Sequence, residues 1–545
     1  MERGTRGTSG TRTGRRIIDV LALTGEHLSL EQVASVAAAD SVEVVLAPEA
    51  AGRVRAARRV VEEALVGSAR VYGVSTGFGR LADVVVSPEQ RGALQKNLVR
   101  SHAAGVGRTL SEAEVRALVL LRANALARGA SGCREVVVER LLELLNRRIH
   151  PVVPEVGSVG ASGDLAPLAH VALCLIGEGA VETGGVRRPA GDVLAEHGLD
   201  PLELEAKEGL ALINGTQATT ALGILALLGS ERALEALEVA GAMSLEALKG
   251  TPEAFRDEVS TLRPHAGQRE SAARLRALLQ DSEIRESHRR DDPRVQDAYS
   301  LRCMPQVHGA ARQTLAYVRG VLEIEANSVT DNPLVLADSG EVVSAGNFHA
   351  QVVAQALDYL CIAVADLAAI SERRVERLLN PDLSMGLPAF LARTPGLQSG
   401  MMIAQVTAAD LLGEMRVLAH PASVDSVPTS ANQEDHVSMG MAAARKARRA
   451  AECLQYVAAV ELVCGSHALE YRRPLRAGRG VEGAHARIRE RVPPLDGDRP
   501  LSPDLEATKS LVAAGAFTPS ALGIAVEWGG SGEPVENALE RGGAR

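Results

Sequence analysis

One short run, Ala161-Ser162-Gly163-Asp164, carries the strongest chemical signal in the sequence. Two small residues flank a serine, and the glycine lets the backbone fold back sharply. In such a tripeptide the amide nitrogen of Gly163 can attack the carbonyl carbon of Ala161. Loss of water, including the Ser162 hydroxyl, then leaves 4-methylidene-imidazol-5-one (MIO), an electrophile that no ordinary side chain supplies. The same residues also fit a plain Gly/Ser turn before a helix, so the interpretation depends on the rest of the chain.

Several further blocks of the sequence contain residues that could bind or react with a substrate. They lie at residues 72–79, 101–105, 208–216, 299–303, 327–333, 346–349 and 432–439. In this order, and together with the Ala-Ser-Gly-Asp run, they resemble the aromatic amino acid ammonia-lyase family. The resemblance implies elimination of ammonia from an amino acid, with MIO formed autocatalytically from Ala161, Ser162 and Gly163 and with no external cofactor.

Elimination must break a barely acidic C–H bond at the β carbon and expel a poor leaving group. The resemblance implies that Tyr72 is the general base, although its glycine-rich surroundings fit a packed turn tyrosine equally well. It also implies that Asn214 contacts the electrophile and the substrate carboxylate, and that Phe348 borders the cyclised ring. The Ser162 and Asn214 segments each precede a predicted helix, whose N-terminus would stabilise negative charge on the electrophile.

Arg302 matches the arginine that holds the substrate carboxylate, a task suited to a planar, two-pronged donor. An arginine in a helix is more often a solvated surface residue. Tyr299 lies three residues earlier and Gln296 three before that, so on a continuous helix all three share one face. The spacing therefore favours a common site for these residues.

Two positions bear on the substrate. Ser101-His102 is similar to family members that act on histidine, but some tyrosine aminomutases share this pair. Glu434 discriminates more strongly, because phenylalanine and tyrosine enzymes and the aminomutases have glutamine there. A carboxylate accepts a hydrogen bond from an imidazole N–H, whereas an apolar or phenolic ring would leave it unpaired. The resemblance thus implies conversion of L-histidine to trans-urocanate and ammonia, the first step of histidine degradation, although Gln351 departs from many histidine enzymes.

Long helices are predicted to position these residues. Apolar residues spaced by threes and fours predict a helix over about 351–379, which Asn380-Pro381 ends. Ser111 and Glu114 form a capping box for a helix that Gly129 closes. Proline-free stretches at 215–250 and 439–471 predict two more long helices, and strand signals are short (42–46 and 341–344). The predicted fold is mainly α, an elongated bundle of long central helices with a smaller loop-rich N-terminal active-site part.

Composition agrees with a helical core. Hydrophobic residues make up 46% of the 545 residues and aromatic residues only 2%, so alanine and leucine must fill the interior. The net charge of −9 favours neither nucleic acid nor an anionic membrane. Six cysteines without Cys-x-x-Cys spacing indicate buried thiols in a reducing compartment, which predicts a cytoplasmic location. No run of about 18 apolar residues is expected to span a bilayer.

The chain is predicted to form one integrated unit between two tails. Residues 1–16 form a basic tail that is expected to be disordered, and 501–545 a C-terminal helical segment and loose tail. The lyase unit, 17–500, divides into an electrophile-bearing part (17–220) and a long helical bundle (221–500). The resemblance implies a homotetramer whose active sites draw on several subunits.

Three other classes of protein are alternatives to a lyase. A serine hydrolase needs Gly-x-Ser-x-Gly between a strand and a helix, but Asp164 follows Gly163 and no such strand is predicted. A zinc enzyme needs paired histidine or cysteine ligands, and the 13 histidines are dispersed, so no metal site is predicted. A non-catalytic protein on the same scaffold is the third class, and absence of the near-ultraviolet absorbance of MIO would support it.

Overall fold

The computed structural model describes residues 19–38, 42–66, 76–77, 84, 86–290, 292 and 294–527. These residues form nineteen α-helices and nine short strands. The helices are α1 (Leu30–Ala38), α2 (Pro48–Val66), α3 (Arg91–His102), α4 (Glu112–Ala127), α5 (Glu135–Asn146), α6 (Leu165–Leu175), α7 (Ala190–Glu196), α8 (Glu208–Ile213), α9 (Gln217–Ala247), α10 (Asp257–Thr261), α11 (Ala266–Leu278), α12 (Glu283–Ser287), α13 (Tyr299–Arg302), α14 (Met304–Ala326), α15 (Gln351–Leu379), α16 (Met402–Leu418), α17 (Gly440–Glu470), α18 (Arg479–Arg489) and α19 (Ser502–Ala513). The strands are β1 (Asp19–Leu23), β2 (Val42–Leu46), β3 (Val106–Thr109), β4 (His150–Pro151), β5 (Pro154–Val156), β6 (Ala180–Thr183), β7 (Val186–Pro189), β8 (Leu334–Leu336) and β9 (Glu341–Val343).

A bundle of four long helices, α9, α14, α15 and α17, forms the centre of the molecule, and α9 and α17 make its most extensive contact. Alanine, leucine and glycine dominate α9, which is buried on nearly all sides. Gly223 allows Leu357 and Leu322 to approach the α9 backbone closely, and Gly465 allows Met243 of α9 to approach the α17 backbone. Small residues therefore set the spacing of the bundle, as the low aromatic content predicted.

The predicted long helices are confirmed. The periodic stretch forms α15 over Gln351–Leu379, with Asn380 as its C-cap in an extended conformation. Ser111 and Glu114 make the expected capping box at the start of α4, and Gly129 follows that helix with a φ of +79°. A long helix gains one backbone hydrogen bond for each added residue and repeats its apolar pattern over many turns. The sequence therefore predicts long helices well.

Short strands are more numerous than predicted. The pair β1 and β2 is parallel, and β3–β5, β4–β6–β7 and β8–β9 are antiparallel. The strand signals at 42–46 and 341–344 correspond to β2 and β9, whereas β3 to β7 had no sequence signal. Each of these five strands has two to four residues, too few to show an alternating pattern.

Two expectations about organisation need correction. The predicted division between residues 220 and 221 falls inside α9, and one continuous core joins both sides of it. Also, α15 has the length and the mean hydropathy (1.7) of a membrane-spanning helix, although no such run was expected. This helix packs against α9, α14 and α17, so its apolar residues serve the core of the bundle. The basic tail at 1–16 lies outside the described residues.

All six cysteines are free thiols. Five of them are buried and Cys303 is partly exposed. The buried five are Cys133, Cys174, Cys361, Cys453 and Cys464. Burial raises the pKa of each of these five thiols to about 12, which keeps them protonated and unreactive.

Candidate active site

The Ala161-Ser162-Gly163 tripeptide lies against the chain that leads into α9. Gly163 has a φ of +76° and pairs with Gly215 in an isolated parallel bridge. A Cβ atom on Gly163 would lie 2.3 Å from the carbonyl oxygen of Gly215. Only glycine fits this position, both for its backbone conformation and for the close approach of the second segment.

Asp164 anchors the tripeptide to α9. Its buried carboxylate accepts hydrogen bonds from the Thr219 amide (2.7 Å), the Thr219 hydroxyl (2.9 Å) and the Ser158 hydroxyl (3.1 Å). Burial raises the pKa of Asp164 to about 6, and these hydrogen bonds oppose the rise. The Asp164 amide donates to the Gly215 carbonyl at 2.6 Å, so side chain and backbone together clamp the turn.

Three helices begin beside the tripeptide. Helix α6 starts at Leu165, immediately after Asp164, and α9 starts at Gln217. Helix α17 starts at Gly440, and the two residues before it form hydrogen bonds with the two residues that precede the tripeptide. The Met439 amide donates to the Val159 carbonyl (2.8 Å), and the Ser438 hydroxyl to that of Gly160 (3.1 Å). Three helix N-termini thus place partial positive charge around Ser162, which suits developing negative charge.

Two polar side chains touch Ser162 itself. The Asn214 amide donates to the Ser162 carbonyl at 2.8 Å, and the Oδ1 atom of Asn214 is buried without a partner. The Ser162 hydroxyl donates to Oε1 of Glu434 at 2.8 Å. The second carboxylate oxygen, Oε2, accepts from the Thr429 hydroxyl at 2.7 Å. The structure therefore brings together three of the predicted site residues, Ser162, Asn214 and Glu434, from three distant parts of the sequence.

A stacked histidine pair places Phe348 close to the Glu434 loop. The rings of His349 and His436 stack with centroids 5.8 Å apart and planes 2° from parallel. His436 is two residues after Glu434, and His349 directly follows the half-buried Phe348. Phe348 is thus next in the chain to a residue that contacts the Glu434 loop, and its place beside the cyclised ring stays a prediction.

His102 lies at the last residue of α3, which packs against α6 and α8, the helices that follow the tripeptide and precede Asn214. The Nδ1 atom of His102 is within hydrogen-bond distance of the Leu98 carbonyl (2.8 Å) and the Ser101 hydroxyl (3.0 Å). Its described contacts are thus within its own helix. Tyr72 lies outside the described residues.

Arg302 and Tyr299 form a second, separate cluster. They belong to α13, a single turn, and the Arg302 guanidinium lies over the Tyr299 ring at 4.6 Å from its centroid. Tyr299 is 71% exposed. Gln296 is also exposed, but it precedes the helix, so the prediction of one shared helical face is wrong for this residue. Asp297, between Gln296 and the start of α13, accepts a hydrogen bond from the Thr251 amide at 2.7 Å and pairs with Arg294 at 3.2 Å.

The two clusters are far apart within one chain. Arg374 donates to the Ser300 carbonyl at 3.5 Å, and a Cβ atom on Gly241 would meet both Arg374 and Met304, the residue at the start of α14. These contacts place α13 beside the Gly241 segment of α9. At about 1.5 Å per residue, Gly241 lies about 36 Å along α9 from Gln217, where the tripeptide is bound. Ser162 and Arg302 of the same chain therefore cannot contact one small substrate.

Some residues of the site had no signal in the sequence. Ser158, Thr219 and Thr429 orient Asp164 and Glu434, but serine and threonine are common and no spacing marks them. Asp164 belongs to the Ala-Ser-Gly-Asp run, but the run itself gives it no role. Its position, directly after the tripeptide and before a helix, is the one clue that could have identified it as an anchor.

The arrangement fits a cyclised tripeptide. The Asn214 amide would hold the carbonyl oxygen of the ring, and the unpaired Oδ1 atom leaves Asn214 with capacity for one more donor. The helix N-termini would stabilise the negative charge that the ring gains when it reacts as an electrophile. Glu434 places a carboxylate beside the same residue, Ser162.

Known proteins resemble this chain in both sequence and structure. A sequence profile of the aromatic amino acid lyase family matches residues 28–490. Histidine ammonia-lyase of Anaeromyxobacter dehalogenans is 55% identical over 508 residues, covering 92% of this chain and 100% of the relative. The crystal structure of histidine ammonia-lyase from Trypanosoma cruzi matches with a TM-score of 0.86 and 42% identity, covering 92% of this chain and 95% of the other. Tyrosine aminomutase from Streptomyces globisporus matches with a TM-score of 0.88 and 38% identity, covering 93% of this chain and 100% of the other.

Proposed function

The chain belongs to the aromatic amino acid lyase family, and we propose that it acts as a histidine ammonia-lyase, converting L-histidine to trans-urocanate and ammonia. The fold does not choose the substrate, since a tyrosine aminomutase matches as well as a histidine ammonia-lyase. The observation that carries the proposal is the carboxylate of Glu434, which lies against the electrophile-forming residue Ser162. The reaction is the first step of histidine degradation.

The family uses MIO, and we propose that Ala161, Ser162 and Gly163 of this chain form it. When present, MIO supplies the electrophile that makes the substrate amine a better leaving group. Asn214 holds the Ser162 carbonyl, and Asp164 fixes the turn to α9. The three helix N-termini stabilise negative charge at this point.

Glu434 selects the substrate ring in this proposal. Its carboxylate accepts the imidazole N–H of histidine, and the Thr429 hydroxyl orients it through Oε2. A phenol or a phenyl ring would leave the carboxylate without that donor. Tyr72 as the base that removes the β proton, and His102 near the substrate ring, stay predictions from the resemblance.

We further propose a homotetramer in which Arg302 and Tyr299 of one subunit complete the site around Ser162 of another. The separation of about 36 Å along α9 supports this arrangement, because a carboxylate-binding arginine must reach the substrate. Tyr299 is exposed and Arg302, stacked on its ring, is half-buried, so a second copy can meet this pair at the surface of the chain. Gln296 is exposed in the preceding segment and can join the same contact.

A cytoplasmic location, without nucleic acid or membrane partners, completes the proposal. It is supported by unpaired cysteines in the described chain and by the net charge of −9.

Turnover of three amino acids tests the proposed activity. With purified protein, L-histidine is expected to be consumed and trans-urocanate to form, which its ultraviolet absorbance reports directly. L-tyrosine and L-phenylalanine are expected to react far more slowly. A faster reaction with tyrosine, or the appearance of a β-amino acid, would identify an aminomutase instead.

Arg302→Lys is expected to damage catalysis although it conserves charge. An ammonium group cannot reproduce the two-pronged hold on a carboxylate, so the substrate is misplaced. The expected loss is about 1.5–3 kcal/mol, or about 10- to 160-fold in kcat/KM for histidine. Arg289→Lys, at an exposed arginine paired with Glu286, is the matched control and should change nothing. Unaltered kinetics of Arg302→Lys would place Arg302 outside the site.

A further inference from the structure

Glu434 contacts the atom that must leave when MIO forms. The Ser162 hydroxyl donates to Oε1 of Glu434 at 2.8 Å in the uncyclised chain. We propose that Glu434 catalyses the dehydration of Ser162 that completes MIO, in addition to its part in substrate recognition. The inference rests on the proposed function, since it concerns the group which that function requires.

The first stage of maturation closes the ring. The Gly163 nitrogen bonds to the carbonyl carbon of Ala161, and the carbonyl oxygen leaves as water with the amide hydrogens of Gly163 and Ser162. A C=N bond to the Ser162 nitrogen remains. One water is lost, no oxidant is consumed, and the Ser162 side chain still carries its hydroxyl.

The second stage removes that hydroxyl and needs a proton transfer at each end. The proton on Cα of Ser162 is taken up by a base, its electron pair forms the Cα=Cβ bond, and the Cβ–Oγ bond breaks. Hydroxide is a poor leaving group, so Oγ must receive a proton as it departs. The Glu434 carboxylate can accept the proton from Cα and deliver a proton to Oγ. One water leaves, and Glu434 ends as the carboxylate it was.

The other polar groups around the tripeptide form their hydrogen bonds with atoms other than the Ser162 hydroxyl. Asn214 and the Ser158 hydroxyl donate to the carbonyl oxygens of Ser162 and Gly163, at 2.8 Å and 3.3 Å. Asp164 is held by three donors on α9 and Ser158. Within the described ranges, Glu434 is the ionisable side chain that bonds to the Ser162 hydroxyl. The Thr429 hydroxyl occupies Oε2, which leaves Oε1 for Ser162.

Departure of the hydroxyl also prepares the site for its substrate. Oε1 of the half-buried Glu434 loses its hydrogen-bond donor when water leaves, and a partly desolvated carboxylate oxygen without a donor is unfavourable. The imidazole N–H of histidine can then replace the Ser162 hydroxyl as the donor. One carboxylate would thus serve maturation first and recognition afterwards.

Time-resolved mass measurement of newly made chains tests the inference. The full chain is synthesised in a cell-free translation reaction, and its intact mass is followed over time together with the near-ultraviolet absorbance of MIO. The wild type is expected to lose two waters. Glu434→Gln, which keeps the volume but removes the acid, is expected to lose the first water normally and the second on the order of 10²-fold more slowly.

Glu325→Gln is the matched control. Glu325 is a carboxylate beside the start of α9 that accepts from the Thr216 hydroxyl at 2.6 Å and does not touch Ser162. A glutamine can keep that hydrogen bond, so both waters are expected to leave at the wild-type rate. Circular dichroism on each variant verifies the fold. If Glu434→Gln does not fold, Glu434→Asp tests the inference alone, since its shorter carboxyl should delay the second loss only.

Two results would overturn the role in dehydration. Loss of both waters from Glu434→Gln, or from a substituting Glu434→Asp, at the wild-type rate would show that the carboxyl takes no part. Loss of neither water from a folded variant would show that Glu434 shapes the turn for ring closure instead. Failure of the proposed function is distinct, because it is seen in the wild-type chain, which would then release no urocanate from histidine whether or not it loses two waters.

Discussion

Ser162→Ala is expected to lower ammonia elimination by several orders of magnitude while the protein stays folded. Alanine has no hydroxyl to expel, so the exocyclic methylene cannot form and the site has no electrophile. Tyr72, Arg302 and Glu434 remain, but none of them can make the substrate amine a better leaving group.

The fold should tolerate this change because a small residue replaces a small one. The hydrogen bond from Asn214 is made to the backbone carbonyl of residue 162 and does not need the serine side chain. Urocanate formation, intact mass and thermal melting give the three readouts, and Ser287→Ala, far from the site in sequence, is the control. A Ser162→Ala protein with near-normal turnover would rule out an electrophile derived from Ser162.

Glu434→Gln is expected to collapse the preference for histidine over tyrosine. A site built around a buried hydrogen bond can reject a ligand that lacks the donor by about 10⁴-fold, far more than shape alone achieves. Glutamine keeps the volume but loses the charge, so kcat/KM for histidine should fall steeply while that for tyrosine falls less or rises. The ratio of the two values is the informative quantity.

The slower dehydration expected of Glu434→Gln makes one precaution necessary. Rates must be divided by the amount of MIO, measured by its absorbance, after long incubation has allowed the variant to mature. An equal loss on both substrates, after this correction, would assign Glu434 to the general chemistry of the site and not to the choice of substrate.

The sequence predicted the long helices and the identity of the central residues better than their arrangement. Helix α15 agrees to the residue because its apolar stripe repeats over eight turns, and the motif order placed Asn214 and Glu434 with Ser162. Spacing failed for Gln296, because α13 begins only at Tyr299 and the intervening Asp297 binds the Thr251 amide outside the helix. Residue spacing also could not show that α13, which carries Arg302, lies beside the end of α9 that is far from Ser162. The distance between two segments follows from packing and not from a local sequence pattern.

The separation of Arg302 from Ser162 within one chain has a genetic consequence. In the proposed tetramer, each chain gives its Ser162 to one site and its Arg302 to another. A cell carrying one allele with Ser162→Ala and a second with Arg302→Lys makes mixed assemblies, and about a quarter of their sites receive both intact residues. Two defective alleles of one gene would then complement each other, whereas an allele with both changes would rescue neither partner.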